Sequence, residues 1–366
     1  MKIVRSWGLS AVAALLLAAC GGGGDGDQSP RVAYSSLVTF GDSLSDVGTY
    51  ATAVLQAATG GGKYTVNSAS AKNWTELLAA QIGVAAPCPA QTGLNASGPL
   101  AAFAEAVQNH DGCTSYAQGG ARVTDPVGPG NAALLNFGDQ SGFVGQLTDP
   151  VANQITRHLQ ASGGAFSGDE LVTVLAGGND VFMNLATLEA TVEAGGDPTA
   201  AATAAVTAMG QAGAELAAYV QTLIVGSGAQ RVVVVNLPDV SQTPLGNSLD
   251  AQTQGLINTM VTTFNAQLAA GLADTPEVLL VDAYAQGRAQ TASPAQYGVS
   301  NVTTPACDLE LLAATVFESS LVCSADTTIA GDVSRYQYAD SVHPTPYGYQ
   351  LLAQYVTQQM ILQGWL

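Results

Sequence analysis

The fold is decided by an apolar run that breaks into a turn, Ser36-Leu37-Val38-Thr39-Phe40 followed by Gly41-Asp42-Ser43-Leu44. The run is typical of a buried strand, and the small residues behind it predict a turn. Such a turn would place the Ser43 hydroxyl at the carboxyl edge of a sheet, where ligands collect in open α/β folds. Gly, Asp and Ser also form turns for purely local reasons, so the turn by itself does not separate a nucleophile from a plain strand end.

A general base and a carboxylate for that serine lie near the carboxyl end. The chain has three histidines, one of them in Asp340-Ser341-Val342-His343-Pro344. A serine nucleophile needs a base to accept its proton and a carboxylate to orient that base. Because residues three apart in a tight turn face the same way, Asp340 and His343 can supply both groups. His158 falls in an amphipathic helical pattern and is expected at the surface or boundary, and His110 is expected in a loop.

Two further segments offer hydrogen-bond donors. The continuous apolar run 171–176 predicts a strand covered on both faces, and it ends in Gly177-Gly178-Asn179-Asp180. The Asn179 amide can there donate to a developing oxyanion, although an Asn-Asp helix cap explains the same residues. Tyr116-Ala117-Gln118-Gly119-Gly120-Ala121 offers glycine N–H groups that can approach a ligand closely, or simply a turn.

These four segments resemble the ordered blocks of the GDSL family of the SGNH hydrolase superfamily. The matching blocks are residues 40–46, 116–121, 177–180 and 340–344. The resemblance implies a GDSL esterase or lipase with a three-layer α/β/α, flavodoxin-like fold, and it implies hydrolysis of carboxylic esters through an acyl-enzyme.

The resemblance also implies a role for each matched residue. Ser43 would be the nucleophile, and Asp340 and His343 would complete the triad. The oxyanion hole would be formed by Gly120, by Asn179 and by the N–H of Ser43 itself, with Gly119 left open as the alternative to Gly120.

Other chemistries lack their sequence signals. The chain has no Gly-x-Ser-x-Gly, His-Glu-x-x-His, Cys-x-x-Cys or phosphate-binding Gly-x-x-x-x-Gly-Lys pattern, so no metal and no cofactor are expected. A net charge of −18 with only 10 Lys and Arg predicts no nucleic-acid partner and favours a neutral small-molecule ester as substrate. The expected substrates are lipidic or short-acyl esters. An acyltransferase, a carbohydrate O-deacetylase and a surface binding lipoprotein without turnover remain as alternatives.

The amino terminus predicts export. A short basic segment, residues 1–5, precedes an apolar run at 11–19 that is too short to span a bilayer. Leu17-Ala18-Ala19-Cys20 resembles a bacterial lipobox, which implies a cleaved signal peptide at 1–19 and a lipidated Cys20 that anchors the protein to a membrane. Because Gly21 rather than Asp follows, the sorting rule favours the outer membrane. Residues 20–33 are typical of a flexible tether, and 34–366 are expected to form a single hydrolase domain.

Four cysteines remain beside Cys20, and they allow three pairings. Sequence proximity favours Cys88 with Cys113 and Cys307 with Cys323, because each pair brackets one loop-like segment. Such disulfides persist in an oxidising compartment, in agreement with the predicted export.

Alternating strand and helix patterns predict an α/β fold with a mainly parallel, five-stranded sheet. The strand-like runs are 36–40, 171–176, 231–236 and 278–282, with a fifth expected just before Gly119, and the helical patterns include 151–159, 198–226, 247–272 and 346–364. Two segments, 84–145 and 284–338, interrupt this alternation. They are expected to fold over the active-site edge and to shape the acyl pocket.

Overall fold

The strands of the main sheet form where the sequence is mostly apolar. The structure is a computed structural model that describes residues 32–314 and 319–366. Within them the strands are β1 (Leu37–Gly41), β2 (Gln91–Leu94), β3 (Glu105–Asn109), β4 (Leu171–Leu175), β5 (Val232–Val235) and β6 (Val278–Val281). Every residue of β1, β4 and β5 is buried, as expected for strands that helices cover on both faces.

Four of these strands form one parallel sheet in the order β1-β4-β5-β6. Leu37 pairs with Leu171, and Val232 pairs with Val172 on one side and with Val278 on the other. Parallel neighbours need crossover connections, and the long helices between the strands supply them. The predicted fold class, a mainly parallel sheet between helical layers, is therefore confirmed.

The prediction of a fifth strand is wrong: within the described residues, the parallel sheet has four strands. The segment just before Gly119 lies where that strand was predicted, alongside β1, with one parallel bridge between Thr39 and Ser115. The Tyr116 N–H donates to the Thr39 carbonyl at 2.8 Å, and the Gln118 N–H donates to the Gly41 carbonyl at 3.1 Å. The turn at Gly119 and Gly120 ends this pairing before a ladder of strand length can form.

Helices cover both faces of the sheet. Within the described residues they are α1 (Ala53–Thr59), α2 (Trp74–Ile82), α3 (Val151–Ala161), α4 (Gly178–Glu193), α5 (Pro198–Tyr219), α6 (Pro244–Ser248), α7 (Ala251–Leu272), α8 (Ala283–Ala292), α9 (Leu309–Ala314) and α10 (Pro346–Gln363). Helices α3, α4, α5 and α7 pack on one face, where the β4 residues Val172 and Val174 point. Helices α2 and α10 pack on the other face, against Leu171 and Leu175. This alternation along β4 produces the three layers.

A third core lies outside the sheet, where the two interrupting segments pack against each other. It contains Leu94 and Leu100 from the first segment, Leu312 and Leu321 from the second, and Leu55 of α1. The first segment also forms an antiparallel pair, β2 with β3, that the sequence patterns did not predict. These insertions therefore form a compact extension with its own apolar contacts.

Both predicted disulfides, Cys88–Cys113 and Cys307–Cys323, are present. None of the helices within residues 32–314 and 319–366 combines the length and the apolar character that a membrane span requires. The predicted signal peptide, Cys20 and most of the predicted tether fall within residues 1–31 and lie outside the described residues.

Candidate active site

Ser43 lies two residues after the end of β1, at the carboxyl edge of the sheet. Gly41 is required at the strand end because a Cβ there would lie 2.2 Å from the Leu175 carbonyl oxygen of β4. The buried Gln154 amide holds the same residue from α3: it accepts from the Gly41 N–H and donates to the Gly41 carbonyl, both at 2.8 Å. This clamp fixes the backbone from which Ser43 projects.

The structure brings Ser43, His343 and Asp340 together in one line of hydrogen bonds. Ser43 Oγ lies 2.8 Å from His343 Nε2, and His343 Nδ1 lies 2.7 Å from Asp340 Oδ2. Ser43 is 8 % exposed and Asp340 is 3 % exposed, so the line runs from a buried carboxyl group to a hydroxyl at a cavity. The spacing of Asp340 and His343 in one turn thus produces the contact that the sequence predicted.

Asp340 is held as a carboxylate. Burial alone would raise its pKa, but the charge of His343 and hydrogen bonds from His343 and from the Ser320 N–H outweigh burial and lower the pKa well below its usual value. A carboxylate can only accept hydrogen bonds, so the proton between it and the imidazole resides on His343 Nδ1. In the neutral imidazole, Nε2 then carries no proton and can accept the proton of Ser43.

An aromatic ring supports the imidazole from one side. The Tyr64 ring lies 4.7 Å from the His343 ring, centroid to centroid, at an angle of 35°. Tyr64 also contacts the segment beside β1, since a Cβ on Gly119 would lie 2.1 Å from the Tyr64 hydroxyl oxygen. One side chain therefore packs between the histidine and the glycines that were predicted as oxyanion donors.

The structure distinguishes Gly120 from Gly119. The Gly119 N–H donates to the buried Asp46 carboxylate at 2.9 Å, so it is already occupied. The Gly120 N–H and the Ser43 N–H donate to no acceptor among the described residues. Gly120 has a φ of +79°, and a Cβ there would collide with the Pro129 carbonyl oxygen at 2.7 Å. Free donors with a fixed backbone are what an oxyanion requires, although Gly120 is not among the residues that line the cavity.

Asn179 lies in the first turn of α4 and lines the same cavity as Ser43. The helix-cap alternative is wrong, because the cap is Gly177 and the Asn179 amide Nδ2 instead donates to the Ala121 carbonyl at 2.8 Å. One N–H of the amide remains for a ligand. Asp180 binds the same segment through the Val123 N–H at 3.1 Å, so the start of α4 and the segment after Gly120 are fixed to each other.

The other two histidines lie elsewhere. His158 is buried, contrary to the predicted surface or boundary position, and its ring packs 4.5 Å from Phe166 and 5.8 Å from Phe40, centroid to centroid. Burial lowers the pKa of His158. His110 follows β3 in a loop, as predicted, where its Nε2 lies 2.8 Å from Thr92 Oγ1.

Asp42 is a second buried carboxyl group in the site. Its Oδ1 accepts the Leu44 N–H at 3.0 Å. Burial raises its pKa to about 7, and the hydrogen bond from Leu44 and the charge of His343 offset only part of that rise. A residue that the sequence placed in a turn is thus neutral over much of the acidic pH range.

The cavity beside Ser43 has a volume of about 120 Å³. Its lining comes from the loops after β1 and β5, from the start of α4, from α8 and α10, and from the turn that carries His343. The predicted contribution of segment 284–338 is present in Gln286, Gln290 and Gln337, whereas segment 84–145 supplies none of the lining residues. No group of three His, Cys, Asp or Glu side chains is placed to hold a metal ion within the described parts of the chain.

Comparison with known proteins agrees with this geometry. Residues 37–356 match the family described as GDSL-like Lipase/Acylhydrolase. The chain belongs to this family. It is accordingly a hydrolase that acts on small-molecule esters, in agreement with the motif order in its sequence.

Relatives of this GDSL-like lipase/acylhydrolase share its length but little of its sequence. The GDSL esterase/lipase EXL3 of Arabidopsis thaliana is 23% identical over 360 residues, which cover 91% of this chain and 90% of the relative. Among solved structures, the extracellular lipase of Streptomyces rimosus is 17% identical, and the match covers 88% of this chain and 99% of that one with a TM-score of 0.37.

Several supporting residues of this GDSL-like lipase/acylhydrolase were missed by sequence reasoning. Gln154, Tyr64 and Ser320 each contact the site from positions that lie far from their partners in the chain. Asp46 carried a signal, because it closes the first motif block, but its partner Gly119 lies 73 residues away.

Proposed function

We propose that the protein is a serine esterase that forms an acyl-enzyme on Ser43. The observation that carries this proposal is the imidazole of His343, which contacts Ser43 Oγ at 2.8 Å and Asp340 Oδ2 at 2.7 Å. A neutral imidazole whose Nδ1 proton is held by a carboxylate is a suitable acceptor for a serine proton.

In the proposed first half-reaction, Ser43 Oγ attacks the ester carbonyl carbon while its proton moves to His343 Nε2. The negative charge that develops on the carbonyl oxygen would be bound by the N–H groups of Ser43 and Gly120 and by the Asn179 amide. The C–O bond to the alcohol then breaks, and His343 returns the proton to the leaving oxygen. Asp340 stabilises the imidazolium that exists between these steps.

In the second half-reaction, water takes the place of the alcohol. His343 accepts a proton from the water as its oxygen attacks the acyl carbon, and the same donors bind the second oxyanion. Collapse breaks the bond to Ser43 Oγ, which regains its proton from His343. The products are a carboxylic acid and an alcohol.

The size of the cavity favours short acyl groups. Its volume of about 120 Å³ is close to that of an engineered cavity of about 150 Å³ that holds a benzene molecule. We therefore propose that the enzyme prefers acyl groups of up to about six carbons. Apolar side chains such as Phe182, Leu237 and Leu352 contribute to its walls.

Replacement of the nucleophile tests the proposal. Ser43→Ala removes the attacking oxygen, and we expect kcat/KM for p-nitrophenyl butyrate to fall at least about 10⁴-fold. A fluorophosphonate probe should label the wild type and not this variant. The matched control is Ser68→Ala at an exposed position, which should keep both activity and labelling. Activity of Ser43→Ala within tenfold of wild type would refute the assignment.

We also propose that the chain is exported as a lipoprotein, with acyl chains on Cys20 that anchor it to a membrane, the outer membrane being favoured by Gly21. The disulfides Cys88–Cys113 and Cys307–Cys323 support export, because reducing cytosolic conditions disfavour such bonds.

A further inference from the structure

Three glutamine side chains form an amide wall in the cavity beside Ser43: Gln286, Gln290 and Gln337. Gln286 and Gln290 lie one turn apart on α8 and therefore share a face of that helix. Gln337 lies in the segment that precedes Asp340, and its Nε2 donates to Gln290 Oε1 at 3.1 Å. The hydrogen bond between Gln337 and Gln290 thus joins α8 to the loop that precedes Asp340.

The amide wall has hydrogen-bonding capacity that the described chain does not use. Gln337 Oε1 is buried and has no partner, and Gln290 Nε2 and the Gln286 side-chain amide donate to no acceptor among the described residues. Gln290 is only 4 % exposed. The oxygen and nitrogen of the Gln337 and Gln290 amides can also be assigned the other way round, so that Gln290 donates to Gln337. One donor and one acceptor remain unpaired in that assignment too.

A buried amide oxygen without a partner is costly, and the Gln286 side-chain amide and Gln290 Nε2 keep further hydrogen-bonding capacity at the cavity, so the wall is suited to a guest that completes it. The guest must both donate and accept, because the wall leaves groups of both kinds. A hydroxyl group has this combination.

The charges around the cavity disfavour an anionic guest. No Lys or Arg lies among the described residues that line the cavity, and the nearby Arg288 is paired with Asp239 at 2.6 Å. A phosphate or carboxylate would therefore meet carboxyl groups and amides with no cation to balance it. The amide wall is suited to an uncharged guest.

We propose that the amide wall binds a hydroxyl group of the substrate, so that the enzyme selects esters with a free hydroxyl near the scissile bond. This inference rests on the proposed function of Ser43. The hydroxyl can belong to the acyl part, as in a hydroxyacyl ester, or to the alcohol part, as in a polyol ester.

Two matched pairs of esters separate these sources. The first pair is p-nitrophenyl butyrate and p-nitrophenyl 3-hydroxybutyrate, which differ in the acyl part. The second pair is propyl butyrate and glycerol monobutyrate, which differ in the alcohol part. In at least one pair, wild type should prefer the hydroxylated ester, and Gln290→Leu should lower the ratio of kcat/KM for that ester to kcat/KM for the plain ester at least about tenfold.

Gln286→Leu is a second variant, because the Gln286 side-chain amide makes no hydrogen bond within the described chain and its loss carries less risk to folding. It should change the same ester pair in the same direction. Gln354→Leu, at an exposed position on α10, is the matched control and should change neither pair.

Three outcomes decide the matter. A selective loss on the hydroxylated ester of one pair supports the amide wall and identifies which part carries the hydroxyl. Equal losses on both members of each pair, or unchanged ratios in both glutamine variants, overturn it while the esterase assignment stands. If wild type cleaves none of the four esters, or Ser43→Ala still cleaves them, the proposed function itself fails.

Discussion

Asp42 places an ionisable carboxyl group in the interior, next to the proposed nucleophile. Its pKa of about 7 in the folded chain exceeds that of an exposed aspartate, chiefly because of burial. Between these two pKa values the folded chain holds a proton that the unfolded chain has released. The free energy of unfolding therefore decreases as the pH rises from about 4 to about 7, and this contribution changes little at higher pH.

We expect Asp42→Asn to remove this dependence. The amide oxygen can still accept the Leu44 N–H, and the side chain cannot ionise. A difference of about three pKa units corresponds to about 4 kcal/mol, an upper limit on what wild type loses relative to the variant as the pH rises. The measurement is urea unfolding of both proteins between about pH 5 and about pH 8.

Other buried carboxyl groups, among them Asp46 and Asp180, also have raised pKa values, so the variant keeps part of the slope. Asp274→Asn, at an exposed position, serves as the matched control. Parallel stability curves for wild type and Asp42→Asn would show that Asp42 does not titrate in this range.

The segment between Cys307 and Cys323 contacts the proposed triad and does not line the acyl pocket. Its Ser320 N–H donates to Asp340 Oδ2 at 2.8 Å, and none of its described residues lines the cavity. A neighbouring loop holds it in place, because Asn67 Nδ2 donates to the carbonyls of Ser320 and Cys323 at 3.0 and 2.9 Å. The disulfide therefore closes the loop that supports the carboxylate.

Opening this disulfide should slow turnover on every substrate alike. In a Cys307→Ala/Cys323→Ala variant we expect a loss of about 3 kcal/mol of unfolding free energy and a several-fold lower kcat, because Asp340 is held less firmly. Kinetics with p-nitrophenyl acetate, butyrate and octanoate, at a temperature where circular dichroism shows both proteins folded, provide the check. A change in preference among these three esters would instead assign the segment to the acyl pocket.

The protein is acidic, and its negative charge affects how it would attach to a membrane. Cleavage of residues 1–19 would remove Lys2 and Arg5 and take the net charge from −18 to −20. Such a body gains no electrostatic attraction from anionic lipids. Attachment would then depend on the acyl chains proposed for Cys20, and more than one chain is needed for stable anchoring.

We expect Cys20→Ser, produced with its signal sequence, to move from the membrane fraction to the soluble fraction and to lose incorporation of labelled palmitate. Ser29→Ala in the predicted tether is the control and should stay with the membrane. Palmitate incorporation that persists in Cys20→Ser would contradict lipidation at this residue.

The sequence by itself predicted the four strands of the parallel sheet and the residues of the proposed triad. Runs such as 171–176 are apolar at every position except Thr173, and a short run of this kind next to glycines is typical of a strand buried on both faces. Asp340 and His343 are three residues apart, so a single turn suffices to bring them together. Where a property depends on a few consecutive residues, local sterics and solvation leave few alternatives.

Only the tertiary structure decided which groups meet across long separations. Gly119 and Gly120 are indistinguishable in sequence, and their N–H groups differ in the structure because the Gly119 N–H donates to Asp46. His158 is buried because Phe40 and Phe166 converge on it from other elements. Such contacts are selected by the packing of side chains that lie far apart in the chain, and no local pattern encodes that packing.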